Sequence, residues 1–550
     1  MRKLIYVLIF CFLLIGNLYP QLTGGLVSVY NSPENKDDIS RFIKTDAQGN
    51  MFVAGNTVKS ELNRDYLLIK FDSQGKLLWS RNYNGTSNAN DTVRDLHIDL
   101  QGNIYITGSS QGTKGVYNAV TIKYDTQGNE LWAARFNEDI FATSHATRVI
   151  SDKNLNIYVV GTYIKGFTHD CLLLKYDRNG NLLWKTTANG SANLYDEGLA
   201  LAISPDMNHV YMGAIFNEID GGQNFTVLKY NNNGDLEWIS SYNGTANGED
   251  HIGDITTDEN GNIYGCGISE GRGTKNDITT VKFSQDGVIL WTKLFDGPGH
   301  DMDWVTVIKL DKNKNVYVAG GYRPENLQNN ACVIKYSNDG EFKWIASYDG
   351  LNHWHDCCQG LDIDGDLNVY MSGRTSVDGI QESDNIFTIK VNKDGVKLWT
   401  KIYDGSDNNA DYSSNLIYNK ISKTIFTLGH SYSNSSKYDV ILLKYKEKNL
   451  IYDVDNSTTG VSTIYKTELA NYPNPFNPST KIQFTIPKDD FVKLYVYDLS
   501  GRLIKNLIDG YTTAGNHNIT FDGSNLSSGV YFYTLQTSSN KITNKFILNK

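Results

Sequence analysis

The chain has 550 residues, including 35 Tyr, 21 Phe and 9 Trp, and 40% of its residues are hydrophobic. This composition excludes a disordered chain and a collagen-like one, because neither carries so much material for a packed core. A net charge of −10 argues against a nucleic-acid partner, since phosphate backbones bind basic surfaces. The 49 Gly, with many aromatic and β-branched residues, favour strands and turns over helices.

The N-terminal residues have the pattern of an export signal. Arg2 and Lys3 precede an apolar run from Leu4 to Ile15, and the chain turns polar after Gly16. This run is too short to span a bilayer comfortably, and its charged start is typical of a signal peptide. We therefore assign residues 1–21 to a signal peptide and predict that the chain is exported.

A long internal repeat follows. Tryptophans recur at intervals of 52 to 55 residues, at positions 79, 132, 184, 238, 291, 344 and 399. Each unit alternates β-branched or aromatic residues with turn clusters, as in DLQGNIY at 99 and TIKYDTQGNELW at 121. This alternation predicts four short antiparallel strands joined by tight hairpins. A four-stranded unit repeated radially is a propeller blade.

The two ends of the repeat region set the number of blades. The first two strands of a unit begin eight times, near residues 41, 95, 148, 200, 253, 306, 360 and 414. The fourth strand carries Trp only seven times, and residues 25–38 align with residues 78–91, with Leu26 in the Trp place. We predict an all-β fold with an eight-bladed β-propeller over 22–450, whose last blade is completed by the N-terminal strand. This closure would remove free sheet edges; seven blades with a spare strand is the alternative.

These repeat units resemble the SBBP-type β-propeller repeat of exported bacterial proteins. The resemblance rests on the D-x-x-G-N-I-Y and I-K-Y-D-x-x-G-x-x-L-W phrases over residues 22–450. It implies a propeller fold and no defined activity.

The C-terminal segment has a different pattern. A polar linker over 451–468 precedes residues 469–550, where alternating apolar positions predict a small Ig-like β-sandwich. The phrases NYPNPFNPST at 471 and VYDLSGRLI at 496 occur in this segment. It resembles the type A C-terminal sorting domain of the type IX secretion system, and an ordinary Ig-like adhesion module is the alternative. The sorting motif on this interpretation comprises Asn474, Pro475, Phe476, Asn477, Pro478, Gly501 and Arg502.

The sorting-domain resemblance implies a partner and a location. The partner is the type IX secretion machinery, which would recognise the C-terminal domain. The location is outside the cell or on the outer-membrane surface of a bacterium that has this system.

A regular acidic feature follows the Tyr-Asn-Gly, Tyr-Asp-Gly or similar phrases of the repeat. An Asp stands six residues after the Gly in most units, and Ser144 replaces it in one. These carboxylates would form a ring where the innermost strands begin, near one mouth of the channel, and could bind a cation or a polyhydroxylated ligand. The predicted ring comprises Asp38, Asp91, Asp196, Asp250, Asp303, Asp356 and Asp411.

A basic feature repeats in the same way, and it favours a structural interpretation of both. One Lys per unit stands on the third strand, where neighbouring blades cover both faces, so its ammonium needs a partner. These residues are Lys70, Lys123, Lys175, Lys229, Lys282, Lys335, Lys390 and Lys444. Since structure demands repetition in every blade and a site usually needs asymmetry, the alternative is that both rings hold the blades in register.

The asymmetric feature is a group of histidines in adjacent loops. DGPGHDMDW at 296 and DGLNHWHDCC at 349 place His300, His353 and His355 beside several Asp. Imidazole and carboxylate groups suit zinc or a similar divalent cation. A divalent-metal site at these histidines is therefore one hypothesis, solvated loop residues are the alternative, and no other cofactor is expected.

Three classes of function remain open at this point. The first is a monomeric, non-catalytic binding module for an extracellular glycan or protein, with no catalytic residues assigned. The second is a glycan hydrolase or lyase that uses paired channel carboxylates. The third is a structural spacer. Propeller enzymes build their sites from long insertions, and because no repeat interval exceeds 55 residues, binding is favoured over catalysis.

Overall fold

The computed structural model describes residues 22–60, 63–219, 222–325, 328–350, 353–376, 383–405, 409–447, 468–472, 474–486, 490–512, 515–537 and 541–550. The predicted signal peptide and nearly all of the predicted linker lie outside these residues. The described residues form 39 strands in two compact units, one over the repeats and one over the C-terminal segment. This part of the chain contains no helix with the length and apolar character that crossing a membrane requires.

The D-x-x-G phrases form the tight turns inside each blade. At Asp99, the carboxylate accepts hydrogen bonds from the backbone N–H groups of Gln101 (2.8 Å) and Asn103 (2.9 Å). Its second oxygen accepts one from the Tyr105 hydroxyl at 2.9 Å. Gly102 has a φ of 85°, which a residue with a Cβ rarely adopts. The phrase therefore fixes the turn and the start of the next strand together.

The first four blades follow the chain, after strand β1 (Leu22–Tyr30). Blade 1 comprises β2 (Asp38–Thr45), β3 (Met51–Ser60), β4 (Asn63–Phe71) and β5 (Leu77–Tyr83). Blade 2 comprises β6 (Asp91–Ile98), β7 (Ile104–Gln111), β8 (Tyr117–Tyr124) and β9 (Glu130–Phe136). Blade 3 comprises β10 (Thr143–Ser151), β11 (Ile157–Lys165), β12 (Thr168–Tyr176) and β13 (Leu182–Ala188). Blade 4 comprises β14 (Glu197–Ile203), β15 (His209–Glu218), β16 (Gly222–Asn231) and β17 (Leu236–Tyr242).

The other four blades repeat this order, and the last recruits β1. Blade 5 comprises β18 (Asp250–Thr257), β19 (Ile263–Glu270), β20 (Asn276–Phe283) and β21 (Ile289–Phe295). Blade 6 comprises β22 (Trp304–Leu310), β23 (Val316–Tyr322), β24 (Asn330–Tyr336) and β25 (Phe342–Tyr348). Blade 7 comprises β26 (Asp356–Ile363), β27 (Val369–Thr375), β28 (Asn385–Val391) and β29 (Lys397–Tyr403). Blade 8 comprises β30 (Asp411–Asn419), β31 (Thr424–Ser433), β32 (Lys437–Glu447) and β1.

The blades close into a ring around their first strands. Each blade is an antiparallel sheet; its strands follow chain order in blades 1 to 7, and in blade 8 β1 lies beside β32. The first strand of each blade contacts the first strand of the next. The ring closes because β2 contacts both β6 and β30. The predicted eight-bladed, all-β propeller is therefore confirmed.

The N-terminal strand completes blade 8, but in a different register from the one predicted. β1 pairs antiparallel with β32, as predicted. In blade 1, Lys70 pairs with Trp79, whereas in blade 8 Lys444 pairs with Gly25. The prediction that Leu26 takes the Trp place is thus wrong. The reason is a bulge between Leu26 and Ser28, which shifts the pairing by one residue. In the ordinary blades the register shift lies beside the repeated Lys, as between Lys70 and Phe71.

The repeated Lys and Trp residues join neighbouring blades. In blade 3, Lys175 Nζ (2.8 Å) and Trp184 Nε1 (3.1 Å) both donate to the backbone carbonyl of Asn232 in blade 4. The Lys175 ammonium also lies 4.9 Å from the centre of the Tyr158 ring, a favourable cation–π distance. Each ammonium therefore has the partner that its position requires. The equivalent acceptors for the other Lys are residues Thr126, Arg178, Gln285, Asn338, Lys393, Glu447 and Gln74.

The C-terminal unit is the predicted small β-sandwich. Its strands are β33 (Glu468–Tyr472), β34 (Ser479–Ile486), β35 (Asp490–Tyr497), β36 (Leu503–Thr512), β37 (Gly515–Asp522), β38 (Gly529–Gln536) and β39 (Lys541–Leu548). They form a three-stranded sheet, β33-β34-β37, and a four-stranded sheet, β36-β35-β38-β39. Side chains of both sheets share one core, including Ile482, Phe484, Val492, Leu494 and Phe546.

Candidate functional site

The two ends of the propeller carry different connections. The tight D-x-x-G turns lie at one end, which we call the turn face. The hairpins between second and third strands, and the loops from each fourth strand to the next blade, lie at the other end, which we call the loop face. The two kinds of loop are hydrogen-bonded to each other, as where the N–H of His169 donates to the carbonyl of Leu194 at 2.7 Å.

The predicted acidic ring lies on the loop face, within these loops. Asp91 accepts a hydrogen bond from the Gly85 N–H at 2.6 Å, and Asp250 accepts one from the Gly244 N–H at 2.6 Å. The seven carboxylate residues are 0–2% exposed. Each carboxylate therefore fastens its own loop, and a polyhydroxylated ligand could reach it only if that loop opened. Their ligand-binding role stays a prediction.

Burial changes the acid strength of these carboxyl groups. Desolvation, partly offset by hydrogen bonds from the Thr375 side chain and the Gly350 N–H, raises the pKa of Asp356 to about 6. Desolvation likewise raises the pKa of Asp411 to about 6, and that of Asp303 to about 7. The main cause of these raised pKa values is the loss of water around each carboxyl group on burial.

A second repeated acid or amide position faces this ring, and sequence reasoning missed it. It stands five residues before each repeated Lys, at the start of the third strand. It could have been found, because it has the same period as the Lys. The eight residues are Asp65, Asn118, Asp170, Asn224, Asp277, Asn330, Asn385 and Asp439.

The histidines of the predicted metal site each have a partner near their own loop, and the metal site itself stays a prediction. His300 and His353 occupy the left-handed position of their loops, with φ of 49° and 56°, where other loops have Asn88 or Asn247. Their Nδ1 atoms lie 2.5 Å from Asp296 Oδ2 and 2.6 Å from Asp349 Oδ2, respectively. Each imidazole therefore closes its own loop, in the way that Asn84 and Asn88 close theirs at 2.5 Å. His355 instead lies 3.3 Å from the Asn329 amide through its Nδ1 atom.

A cluster of three carboxylates includes two residues of the loop that contains His300. Among the described residues, the one group of three metal-binding side chains whose ligand atoms lie within 4.8 Å of one another is Asp277, Asp296 and Asp303. Only Asp303 belongs to the predicted ring. Asp277 comes from the missed position, and Asp296 from the Phe-Asp-Gly phrase (295–297) at the start of its loop.

The loop face also carries exposed apolar side chains on four consecutive loops. Phe141 is 77% exposed between blades 2 and 3, and Phe167 is 93% exposed on the hairpin of blade 3. Tyr195 lies between blades 3 and 4, and Ile219 is 73% exposed on the hairpin of blade 4. Large exposed apolar groups that recur on adjacent loops are typical of an interaction surface.

The residues of the predicted sorting motif lie at two places in the sandwich. The Phe476 N–H donates to the Ile547 carbonyl at 2.9 Å, and the Phe476 ring lies 5.1 Å from the Phe546 ring. Asn474 Oδ1 accepts a hydrogen bond from the Ile547 N–H at 2.9 Å. This half of the motif, which also includes Pro475, Asn477 and Pro478, is thus joined to the last strand through Asn474 and Phe476.

The other half of the motif is a turn. Gly501 has a φ of 80°, and Arg502 Nε donates to Asp498 Oδ2 at 3.0 Å. Because Asp498 also accepts the Ser500 and Arg502 backbone N–H groups, this turn has the same construction as the propeller turns.

Two family models match the chain. The model described as a secretion system C-terminal sorting domain matches residues 470–549. The model described as a beta-propeller repeat, SBBP, matches residues 79–114. The two matched segments fall on the sandwich and on blades 1 and 2, respectively.

Comparison with individual proteins gives distant likenesses. An uncharacterized WD repeat-containing protein of Acanthamoeba polyphaga mimivirus is 21% identical over 476 residues, covering 69% of this chain. This chain spans only 32% of that protein. The surface component PorZ of the type-IX secretion system of Porphyromonas gingivalis is 11% identical, with a TM-score of 0.33, over 94% of this chain and 74% of that one. The polysaccharide lyase Uly1 is 9% identical, with a TM-score of 0.40, over 77% and 99% of the two chains.

The family matches agree with the phrases quoted from the sequence and with the two folds. The match of the sorting-domain model to residues 470–549 favours a sorting domain over the alternative of an ordinary adhesion module. This chain combines SBBP-type β-propeller repeats with a type IX secretion system C-terminal sorting domain, and it is a secreted or cell-surface protein.

Proposed function

We propose that the propeller is a non-catalytic binding module, which the sorting domain delivers outside the cell. The observation that carries this proposal is the set of exposed apolar side chains on consecutive loops of the loop face: Phe141, Phe167, Tyr195 and Ile219. Covering such groups with a ligand makes binding more favourable by roughly 25 cal/mol per Å² of apolar area removed from water. The ligand is an extracellular glycan or protein, and the aliphatic Ile219 favours a protein.

The acidic groups of the propeller support binding over catalysis. A glycan-active enzyme needs two carboxyl groups that reach the substrate on either side of the scissile bond. In this propeller the carboxyl groups with raised pKa, such as those of Asp303 and Asp356, are buried inside their loops. A hydrolase or lyase remains the alternative function, and it would require those loops to open.

The test uses the full chain and a panel of purified polysaccharides and extracellular proteins. Binding is measured by biolayer interferometry, and catalysis by release of new reducing ends or unsaturated sugars. We expect binding without turnover, and we expect Phe167→Ser combined with Tyr195→Ser to weaken that binding at least about tenfold, because hot-spot aromatics dominate such contacts.

A matched control separates a specific surface from general stickiness. Leu100 is 74% exposed in a turn of blade 2, on the turn face, so Leu100→Ser removes exposed apolar area from the opposite end. This variant should bind like the parent chain. Turnover that Asp303→Asn or Asp356→Asn abolishes would contradict the proposal and favour the enzyme, and equal loss from Leu100→Ser would contradict the assigned face.

A further inference from the structure

We propose that Asp277, Asp296 and Asp303 form a binding site for one divalent cation, Ca²⁺ by the chemistry of its ligands. The proposal does not depend on the ligand-binding function of the loop face. It rests on the meeting of three carboxylates at one loop, on the unpartnered buried oxygens of Asp277 and Asp296, and on the difference between this loop and its equivalents.

The first step is the geometry of the cluster. The three residues offer carboxylate oxygens that all lie within 4.8 Å of one another. Asp277 begins the third strand of blade 5, and Asp296 and Asp303 lie at the two ends of the loop to blade 6. A cation with oxygen ligands at 2.3–2.6 Å fits between oxygens that are separated by about twice that distance or less.

The second step is the hydrogen bonding of these carboxylates. Asp277 is 4% exposed, and its Oδ2 accepts a hydrogen bond from the Thr274 hydroxyl at 3.0 Å, whereas its Oδ1 is buried without a partner. Asp296 shows the same division, with Oδ2 paired to His300 and a buried Oδ1 that has no partner. Buried carboxylate oxygens without partners are costly, so a ligand that satisfies both at once is favoured.

The third step is the charge of the cluster. Asp303 accepts two backbone hydrogen bonds, from Gly297 at 2.8 Å and from Arg323 at 3.1 Å, which hold its carboxylate in place. The nearby cations Lys275 and Arg323 make their ion pairs with Asp301, at 2.6 Å and 2.7 Å. Among the described residues, the ion pair made by the cluster itself is with the His300 imidazole. Three like charges this close need either protons or a cation to balance them.

The fourth step is that each equivalent loop lacks at least one of the three carboxylates. Blade 6 has Asp349 and Asp356, but Asn330 stands where blade 5 has Asp277. Blade 1 has Asp65 and Asp91, but Asn84 stands where the blade 5 loop has Asp296. The three-carboxylate combination is therefore not required by the blade architecture. All-oxygen, carboxylate-rich sites suit Ca²⁺, which extracellular modules bind with dissociation constants of about 10⁻⁴–10⁻³ M.

The test is Ca²⁺ titration of the full chain by isothermal calorimetry, with the melting temperature followed in parallel. We expect one site, and we expect Asp277→Asn and Asp296→Asn each to weaken Ca²⁺ binding by about tenfold or more, since ligand charge sets the affinity of such sites. Both variants should fold, because asparagine already occupies the same register at Asn330 and Asn84 in other blades.

The matched control is Asp349→Asn in the next blade. It makes the same chemical change at the equivalent position of a loop that lacks the third carboxylate, so Ca²⁺ affinity should stay unchanged. A terbium soak of crystals should place an anomalous peak between the three carboxylates. Absence of any calorimetric or thermal response to 10 mM Ca²⁺ (about tenfold above the weakest expected dissociation constant) would overturn the proposal, and so would equal weakening by Asp349→Asn.

Discussion

The ordinary junctions between blades and the junctions that close the ring solve the same problem with different groups. In an ordinary junction, Lys175 and Trp184 donate to the backbone carbonyl of Asn232, which lies in a turn of the next blade. At the junction of blades 7 and 8, Lys390 Nζ (2.8 Å) and Trp399 Nε1 (2.9 Å) instead contact the Glu447 carboxylate.

The difference follows from where the chain leaves the repeat. Asn232 and Glu447 both stand three residues after the repeated Lys of their blades. In blade 8 the third strand does not turn into a fourth, because β1 supplies that strand from the other end of the chain. A side-chain carboxylate therefore occupies the place of a turn carbonyl. The comparison teaches that the acceptor position is what the fold requires, and that the group filling it can change.

The junction between blades 8 and 1 differs in a second way. Lys444 Nζ still donates to a carbonyl, that of Gln74 at 3.0 Å. No Trp accompanies it, and Val27 packs against Gly75 where Trp132 packs against Gly180 in an ordinary junction. The closing strand therefore keeps the backbone pairing and the Lys contact and loses the aromatic one.

The largest expected effect comes from removing the closing strand. Deletion of residues 22–30 exposes the edge of β32 and should cost about 5 kcal/mol or more of unfolding free energy, or abolish a single cooperative transition. Calorimetry and circular dichroism measure this loss. A synthetic peptide of residues 22–30 should restore the transition and a scrambled peptide should not; full stability of the deleted chain would show that the strand is dispensable.

A smaller effect is expected at Glu447, the substituted acceptor. Glu447→Ala leaves the buried ammonium of Lys390 and the Trp399 indole N–H without their acceptor and should lower the unfolding free energy by about 1–3 kcal/mol. Glu447→Gln keeps one acceptor oxygen and should cost less. The control is Glu341→Ala, which removes an exposed surface ion pair with Lys343 and should change stability little. Denaturant titration compares the three, and equal effects of the two Ala variants would refute the role of Glu447.

The smallest effect is a dependence of stability on pH at Asp411, which begins the first strand of blade 8. Burial raises the pKa of Asp411 to about 6 in the folded chain, above the value near 3.8 of an unburied Asp. The folded state thus binds more protons between these two pH values, so stability falls as the pH rises from about 4 to about 6. Asp411→Asn should therefore raise the unfolding free energy by about 1 kcal/mol or more at pH 7.5 and by nearly nothing at pH 4.

Blade 3 offers a natural comparison for this prediction. It has Ser144 in the register of Asp411, and that hydroxyl accepts the Ala119 N–H at 2.9 Å without any charge. Ser144→Ala should consequently show a loss of stability that is the same at pH 4 and pH 7.5. Thermal unfolding at both pH values measures the contrast, and a pH-independent effect of Asp411→Asn would contradict the assigned cause.

Much of the fold could be predicted from the sequence because the period of the repeat is itself a structural signal. The Trp spacing and the D-x-x-G phrases gave the blades, and the unequal counts of third and fourth strands gave the closing strand. The register of that strand could not be predicted, because Gly25, Leu26 and Val27 carry no Trp to align and the bulge depends on packing. A local alignment cannot locate a bulge that tertiary contacts select.

The candidate site was less predictable than the fold. In the sequence, His300 and His353 resemble metal ligands because each stands near several Asp residues. Their left-handed backbone and their pairing with an Asp of the same loop are visible only in three dimensions. Asp277 was missed, because it lies 26 residues before Asp303 and meets it only when the loop crosses the blade. Exposure of Phe167 likewise follows from its place at a hairpin tip and not from its residue type.

Pairing of β1 with β32 joins residues more than 400 positions apart, from Leu22 to Glu447. Seven blades can assemble from local hairpins before this strand pairs with β32. The final event is then the docking of one short strand onto an open edge, and this contact joins residues far apart in the sequence. An extracellular factor that covered that edge would hold the ring open, and a nascent ring would be most vulnerable to proteases and to strand exchange between copies at this single seam.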